Sequence, residues 1–149
     1  MSEARRLLPN QPHAISRRTS ERRFFLVPTE FCKQVVAYAF AVANQEFPRV
    51  QIHALVVMSN HVEIVVSDTH SLGEQSQLPR FFCAAHSLIA SAMNHHFGRG
   101  EHFWGPGSYR NTEIHGLASL ADRLVYALAN PAAADLVDTL DEWPGLHFG

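Results

Sequence analysis

The segment that most constrains this chain is residues 51–67, QIHALVVMSNHVEIVVS, in which two apolar, β-branched runs are joined at Met58-Ser59-Asn60. Each run has the composition and length of a strand, and Ser-Asn between them is a two-residue turn signal, so an antiparallel hairpin is expected. Strand side chains alternate, so His61, Glu63 and Val65 share one face of the second strand while Val62, Ile64 and Val66 share the other. One face is aliphatic; the other opens with an imidazole and a carboxylate two positions apart. Side chains so placed stand roughly 6.5–7 Å apart at their bases, and both are ordinary ligands of a divalent cation. The same pattern suits the wet face of a half-buried hairpin, and spacing alone leaves both readings open.

The remaining elements supply a fold for that hairpin. Residues 13–18 form a short polar strand candidate, followed by the apolar run Phe24-Phe25-Leu26-Val27 that ends at Pro28. Thr29 is a plausible N-cap for a first helix, on which Phe31, Val35, Tyr38, Val42 and Phe47 recur at helical spacing. A second helix is marked by the stripe Leu78, Phe81, Phe82, Ala85, Leu88, Ile89, Ala92 and Met93, with Pro79 in its first turn and Gly98 and Gly100 at its end. Phe103-Trp104-Gly105-Pro106-Gly107 reads as a loop with two exposed aromatics, leading into a strand over residues 108–115 that carries Arg110. A third helix over about residues 117–129 places Leu117, Leu120, Leu124 and Leu128 on one stripe and Tyr126 nearly opposite. Asn130 lies one turn beyond the tyrosine, and Pro131 is expected to end the helix. The order predicts an α+β, ferredoxin-like split βαβ fold: a four-stranded antiparallel sheet with two helices on one face, plus the C-terminal tyrosine-bearing helix.

At 149 residues one domain is expected, over residues 13–145, with a poorly ordered lead-in over 1–12 and a tail over 146–149. The longest apolar run is far too short for a membrane span and no charged start precedes an apolar core, so a cytoplasmic protein with no membrane partner is expected. Cys32 and Cys83 stand alone, without the pairing that zinc or redox chemistry needs. A net charge of −2 gives no global case for nucleic acid, but seven of the twelve cationic residues lie in the first 33 positions. Arg17, Arg18, Arg22, Arg23 and Arg110 are candidate phosphate contacts and Trp104 a candidate base-stacking platform, on charge and location. A solvated basic arm and a lid over the core are the alternatives for the two sets.

Three separated runs, HALVVMSNHVEIVVSD, FWGPGSYRNTEI and VYALANPAAADLVDTLDEWPG, together resemble the REP-associated tyrosine transposases and their insertion-sequence relatives, single-tyrosine members of the HUH nuclease superfamily. The likeness covers roughly residues 13–145. It implies a metal-binding motif on the strand after the hairpin turn, to which His61 and Val62 correspond; where the family has a second histidine, this chain has Glu63. It further implies that Tyr126 is the nucleophile and that Asn130 completes a site for Mg²⁺ or Mn²⁺. The implied reaction is transesterification on single-stranded DNA at a hairpin, which leaves a 5′-phosphotyrosyl protein and a free 3′-hydroxyl. A phenol titrates near about 10, so a nucleophilic tyrosine needs a cation or base beside it. Relatives include monomers and homodimers whose tyrosine helix reaches the other subunit, and an outward Tyr126 is compatible with both.

Two further readings remain open. In one, the same fold binds DNA hairpins with catalysis weakened or lost through Glu63. In the other, the sheet binds RNA; but such sheets present aromatics on the central strands, and none occurs there in this chain.

Overall fold

The computed structural model describes residues 10–107 and 109–149, so the basic residues Arg5 and Arg6, most of the expected lead-in, and Ser108 lie outside the described residues. The elements run β1 (His13–Arg18), α1 (Glu30–Glu46), β2 (Val50–Met58), β3 (His61–Asp68), α2 (Leu78–Phe97), β4 (Arg110–Glu113), α3 (Leu117–Ala133) and β5 (His147–Phe148). They form one antiparallel sheet in the order β4-β1-β3-β2-β5.

The hairpin is as expected, with Met58 opposite His61 across the two-residue loop. The register slips between Ile52 and Ala54, so His53 is an extra, bulged residue, and its Nε2 lies 2.8 Å from the Ser67 hydroxyl. Pairing of β1 with β3 places Ala14, Ser16 and Arg18 opposite Val65, Glu63 and His61. Cross-strand partners share a face, so the two sheet faces are defined by these rows.

The aliphatic face, with Ile15, Leu55, Val57, Val62, Ile64 and Val66, packs on α1 and α2 to form the main core. On α1, Thr29 caps the helix by accepting from the Cys32 amide at 3.1 Å, which satisfies one of the first-turn donors. The buried stripe is Cys32, Val36, Ala39, Phe40 and Ala43, one position away from the expected one. Tyr38 and Phe31 face solvent because the smaller alanines fit the close approach to the sheet and α2. On α2 the expected stripe holds at Leu78, Phe81, Phe82, Ala85, Ile89 and Met93, and His86 is buried with it. Gly98 ends α2 in the left-handed region at φ 63°, which glycine adopts without strain. Phe81 is fully buried against Phe40 and Phe82. Phe81→Ala is therefore expected to cost about 3–5 kcal/mol of unfolding free energy, read by chemical denaturation.

The opposite face carries α3. Leu120, Leu124, Ala127 and Leu128 pack on Ala14, Ala54, Val65 and Ile114, where three alanines let the helix backbone approach the strands. Leu117, placed on this stripe by spacing, is exposed at the first turn, beyond the edge of the cluster. Pro131 does not end the helix but lies within it; its ring is tolerated because α3 stops two residues later and the Leu136 amide closes onto the Pro131 carbonyl at 3.1 Å. The segment expected as a tail is instead β5, a fifth strand on the free edge of β2, pairing His147 with Val56 and Phe148 with Leu55. It is held by Trp143, whose indole donates to the Val57 carbonyl at 3.0 Å. A Cβ on Gly145 would come within 2.3 Å of that indole nitrogen, so only glycine fits. Two residues give too little pattern to be read as a strand. The run Phe24–Val27 has no regular structure; Leu26 plugs into the core and its amide donates to the Ser59 carbonyl at 2.9 Å. Among the described residues no helix is long and apolar enough to cross a membrane.

Candidate functional site

On the α3 side of the sheet, strand register assembles one polar row: Arg110 on β4, Ser16 on β1, Glu63 on β3. The next row pairs Arg18 with His61. The helix covers only the alanine and valine rows, and its flank carries Arg123 and Tyr126, three positions apart and so on one side of the helix. Between these surfaces lies a cleft of about 550 Å³, walled by Ser16, Arg17, Arg18, Glu63, Arg110, Arg123 and Tyr126, with Gly105 and Pro106 at its rim. Residues from β1, β3, β4, α3 and the loop after α2 therefore converge at one place.

Glu63 is the acid of this cleft. Its side chain is 15% exposed, and Oε1 lies 3.9 Å from His61 Nε2. Burial pushes its carboxyl up, while the Ser16 hydroxyl and the guanidiniums of Arg18, Arg123 and Arg110 pull it down. Among the described residues no arginine comes within ion-pair distance of it, so the acid is not consumed by an internal salt bridge. His61 is held neutral: burial, with the Arg18 charge beside it, lowers its pKa to about 4. The His61 Nδ1 lies 2.7 Å from Asn60 Oδ1. An amide oxygen only accepts, so this contact is a hydrogen bond in the Nδ1–H tautomer of His61, with Nε2 directed away from Asn60.

Three guanidiniums, those of Arg18, Arg123 and Arg110, act on the one carboxylate and make the cleft positive in a chain of net charge −2. Arg17, opposite Val62, borders the cleft from the other sheet face, where its guanidinium lies over Trp104 and donates to the Gly107 carbonyl at 3.0 Å. Such a concentration of guanidiniums suits a phosphodiester, which they bind through paired donors. Tyr126 is 60% exposed, presenting its phenol to the cleft rather than to the core.

Of the residues singled out in the sequence, Glu63, Tyr126, Arg17, Arg18 and Arg110 meet at the cleft. His61 stands beside Glu63, and Asn130 lies half-buried one turn beyond Tyr126; neither forms part of the cleft wall. Arg22 and Arg23 are exposed on a separate turn, where Arg23 approaches Glu21 at 4.0 Å and lies over Phe25. Trp104 cannot serve as a base platform. It is 8% exposed, its indole donates to the His86 carbonyl at 2.9 Å, and its neighbour Phe103 is 2% exposed. The pair anchors the loop along β1, where the Gly105 amide reaches the Arg18 carbonyl, and so sets the rim of the cleft. Arg123 was missed, because a lone arginine on a helix carries no signal until the helix is docked; its position three residues before Tyr126 was the only hint.

Trp104 also shields His86, whose pKa burial, together with the Arg17 charge, lowers to about 3. The folded protein keeps this histidine neutral while the unfolded chain protonates it below 6.5, so stability is intact above pH 6.5 and falls as pH drops toward 3. The expected slope is about 1.4 kcal/mol per pH unit from this group, measured by urea denaturation between pH 7 and pH 5. His86→Gln should flatten the profile by that amount; an unchanged profile would show that His86 protonates freely in the fold.

No family model matches the chain, and no curated protein does. Among solved structures, it is similar to a REP-associated tyrosine transposase bound to a REP hairpin, with 20% identity and a TM-score of 0.72 over 97% of this chain and 81% of that one. It is also similar to a candidate transposase from Deinococcus radiodurans R1, with 16% identity and a TM-score of 0.54 over 91% of this chain and 98% of the other. At these identities the likeness establishes a shared fold.

Proposed function

We propose that the cleft is the DNA-processing site of a tyrosine transposase-like protein, in which Tyr126 cuts single-stranded DNA beside a hairpin. The observation that carries this reading is the convergence of one phenol, one carboxylate and the guanidiniums of Arg18, Arg110 and Arg123 on a single cleft. The shared fold with a transposase that binds a REP hairpin, and the motif likeness of the three sequence runs, support the same partner.

The arginines would hold the phosphodiester with its phosphorus facing α3, where Arg123 and Tyr126 sit one helical turn apart. The phenolic oxygen forms the new bond to phosphorus as the bond to the 3′-oxygen breaks. The products are a 5′-phosphotyrosyl chain and a free 3′-hydroxyl: the phenolic proton leaves to solvent through the open cleft, and the departing 3′-oxygen takes up a proton from solvent. His61 and Glu63 would be the residues to hold a divalent cation: both are donor types such an ion accepts, Nε2 and Oε1 lie 3.9 Å apart, and the imidazole is already neutral. Among the described residues no three His, Cys, Asp or Glu side chains converge, so this two-donor pair, with Asn130 as the third residue assigned to it, suits Mg²⁺ or Mn²⁺ with retained waters rather than a structural zinc. Such a cation supplies Lewis-acid polarisation of a phosphate oxygen.

The same charge balance favours a second reading, a hairpin binder with little or no cutting, because Arg18, Arg110 and Arg123 hold a phosphate backbone whether or not a cation is bound. The two readings separate when hairpin oligonucleotides are incubated with the protein and Mn²⁺: a covalent protein–DNA band supports cutting, and retention without one supports binding alone. Both require the cleft to contact phosphates. Arg123→Ala and Arg110→Ala are each expected to weaken hairpin binding and to reduce the salt slope of log K by about 1. Unchanged salt slopes, or a preference for unstructured RNA, would overturn both.

A further inference from the structure

Asn60 occupies the second position of the hairpin turn, where asparagine is commonly required for a positive φ. Its backbone does not adopt one; among the described residues the positive-φ residues other than glycine are Asn10, Glu21, Arg22 and Asp135. Turn geometry therefore does not explain this side chain, and its contacts do. The amide Oδ1 accepts from His61 Nδ1 at 2.7 Å, and Nδ2 points to the Arg22 carbonyl at 3.5 Å. The Asn60 carbonyl accepts the Thr19 amide at 3.0 Å, so both the backbone and the amide group of Asn60 are tied to the segment that follows β1.

We propose that Asn60 is a positioning residue, which fixes His61 as the Nδ1–H tautomer and turns its Nε2 lone pair toward Glu63. The arrangement of amide ends favours this: a flipped amide, which would pair with the Nε2–H tautomer, would give up the Nδ2 contact with the Arg22 carbonyl. A ligand imidazole is commonly oriented through its other nitrogen in this way. The inference rests on the reading of His61 and Glu63 as a cation pair, but its first test does not need the cation.

Long-range ¹H–¹⁵N spectra of the metal-free, full-length protein at pH 8 report which His61 nitrogen carries the proton. In the parent protein Nδ1 is expected to be protonated and Nε2 bare. In Asn60→Ala the Nε2–H form should appear, while Asn60→Asp, which keeps the acceptor, should retain the parent pattern. The amide spectrum of β2 and β3 checks that the hairpin is intact. Mn²⁺ binding to the same proteins should weaken by about 10–100-fold in Asn60→Ala and recover in Asn60→Asp. A tautomer unchanged in Asn60→Ala overturns the inference whatever happens to metal affinity. A tautomer that shifts as expected in a protein that never bound Mn²⁺ upholds the role of Asn60 and sinks the cation reading instead.

Discussion

Tyr126→Phe is expected to eliminate the covalent protein–DNA adduct, lowering its yield on the order of 10⁴-fold or more, while hairpin retention changes by no more than about 3-fold. The separation follows from where the residue sits. At 60% exposure Tyr126 contributes little to the packing of α3, which rests on Leu120, Leu124, Ala127 and Leu128, so the fold survives its loss. Only the phenolic oxygen is removed, and among the described residues no other phenol lines the cleft. Denaturing electrophoresis after incubation with a hairpin oligonucleotide and Mn²⁺ reads the adduct; an adduct that persists in the variant would place the nucleophile elsewhere.

Glu63→Gln is expected to move cutting and binding in opposite directions. The carboxylate is the one negative group beside three arginines in the cleft, so neutralising it raises the local positive charge. Hairpin binding should tighten by roughly 3- to 10-fold at low salt, with the gain fading as salt rises. Cation affinity, and with it adduct formation, should fall by at least about 10-fold because a charged oxygen donor is replaced by a weaker neutral one. The glutamine carbonyl can still accept from the Ser16 hydroxyl. Burial already disfavours the charged Glu63, so the denaturation midpoint should not drop. Filter binding across a salt series, run beside the adduct assay, distinguishes this outcome from a simple loss of structure, which would weaken both.

The parts of this molecule legible in its sequence are those governed by short-range periodicity. The β2–β3 hairpin follows from uninterrupted β-branched runs and a two-residue turn, and α2 from four turns of consistent stripe capped by Gly98. Alternation alone placed His61 and Glu63 on one face, and helical spacing turned Tyr126 away from the leucine stripe. Features decided by docking were not legible. The stripe of α1 is offset because alanines, not the larger Phe31 and Tyr38, face the sheet. Phe103 and Trp104 look like exposed loop aromatics until the loop is laid along β1 over His86. β5 depends on Trp143 and Gly145 holding two residues to the edge of β2. Arg123 gains meaning only when α3 crosses the sheet above Glu63. Candidate arginines chosen by location divided accordingly: Arg18 and Arg110 reach the cleft through strand register, Arg17 points to the other sheet face and donates to the Gly107 carbonyl, and Arg22 and Arg23, only a few residues further on, follow a turn that leads away from it.

The most direct test of a cation beside the Tyr126 cleft is pulsed electron paramagnetic resonance on the Mn²⁺-loaded protein with a bound hairpin. A single imidazole ¹⁴N coupling is expected, lost in His61→Ala, together with a ³¹P coupling from the DNA backbone. A spectrum of hydrated Mn²⁺ without nitrogen coupling, or a coupling that survives in His61→Ala, would contradict the account.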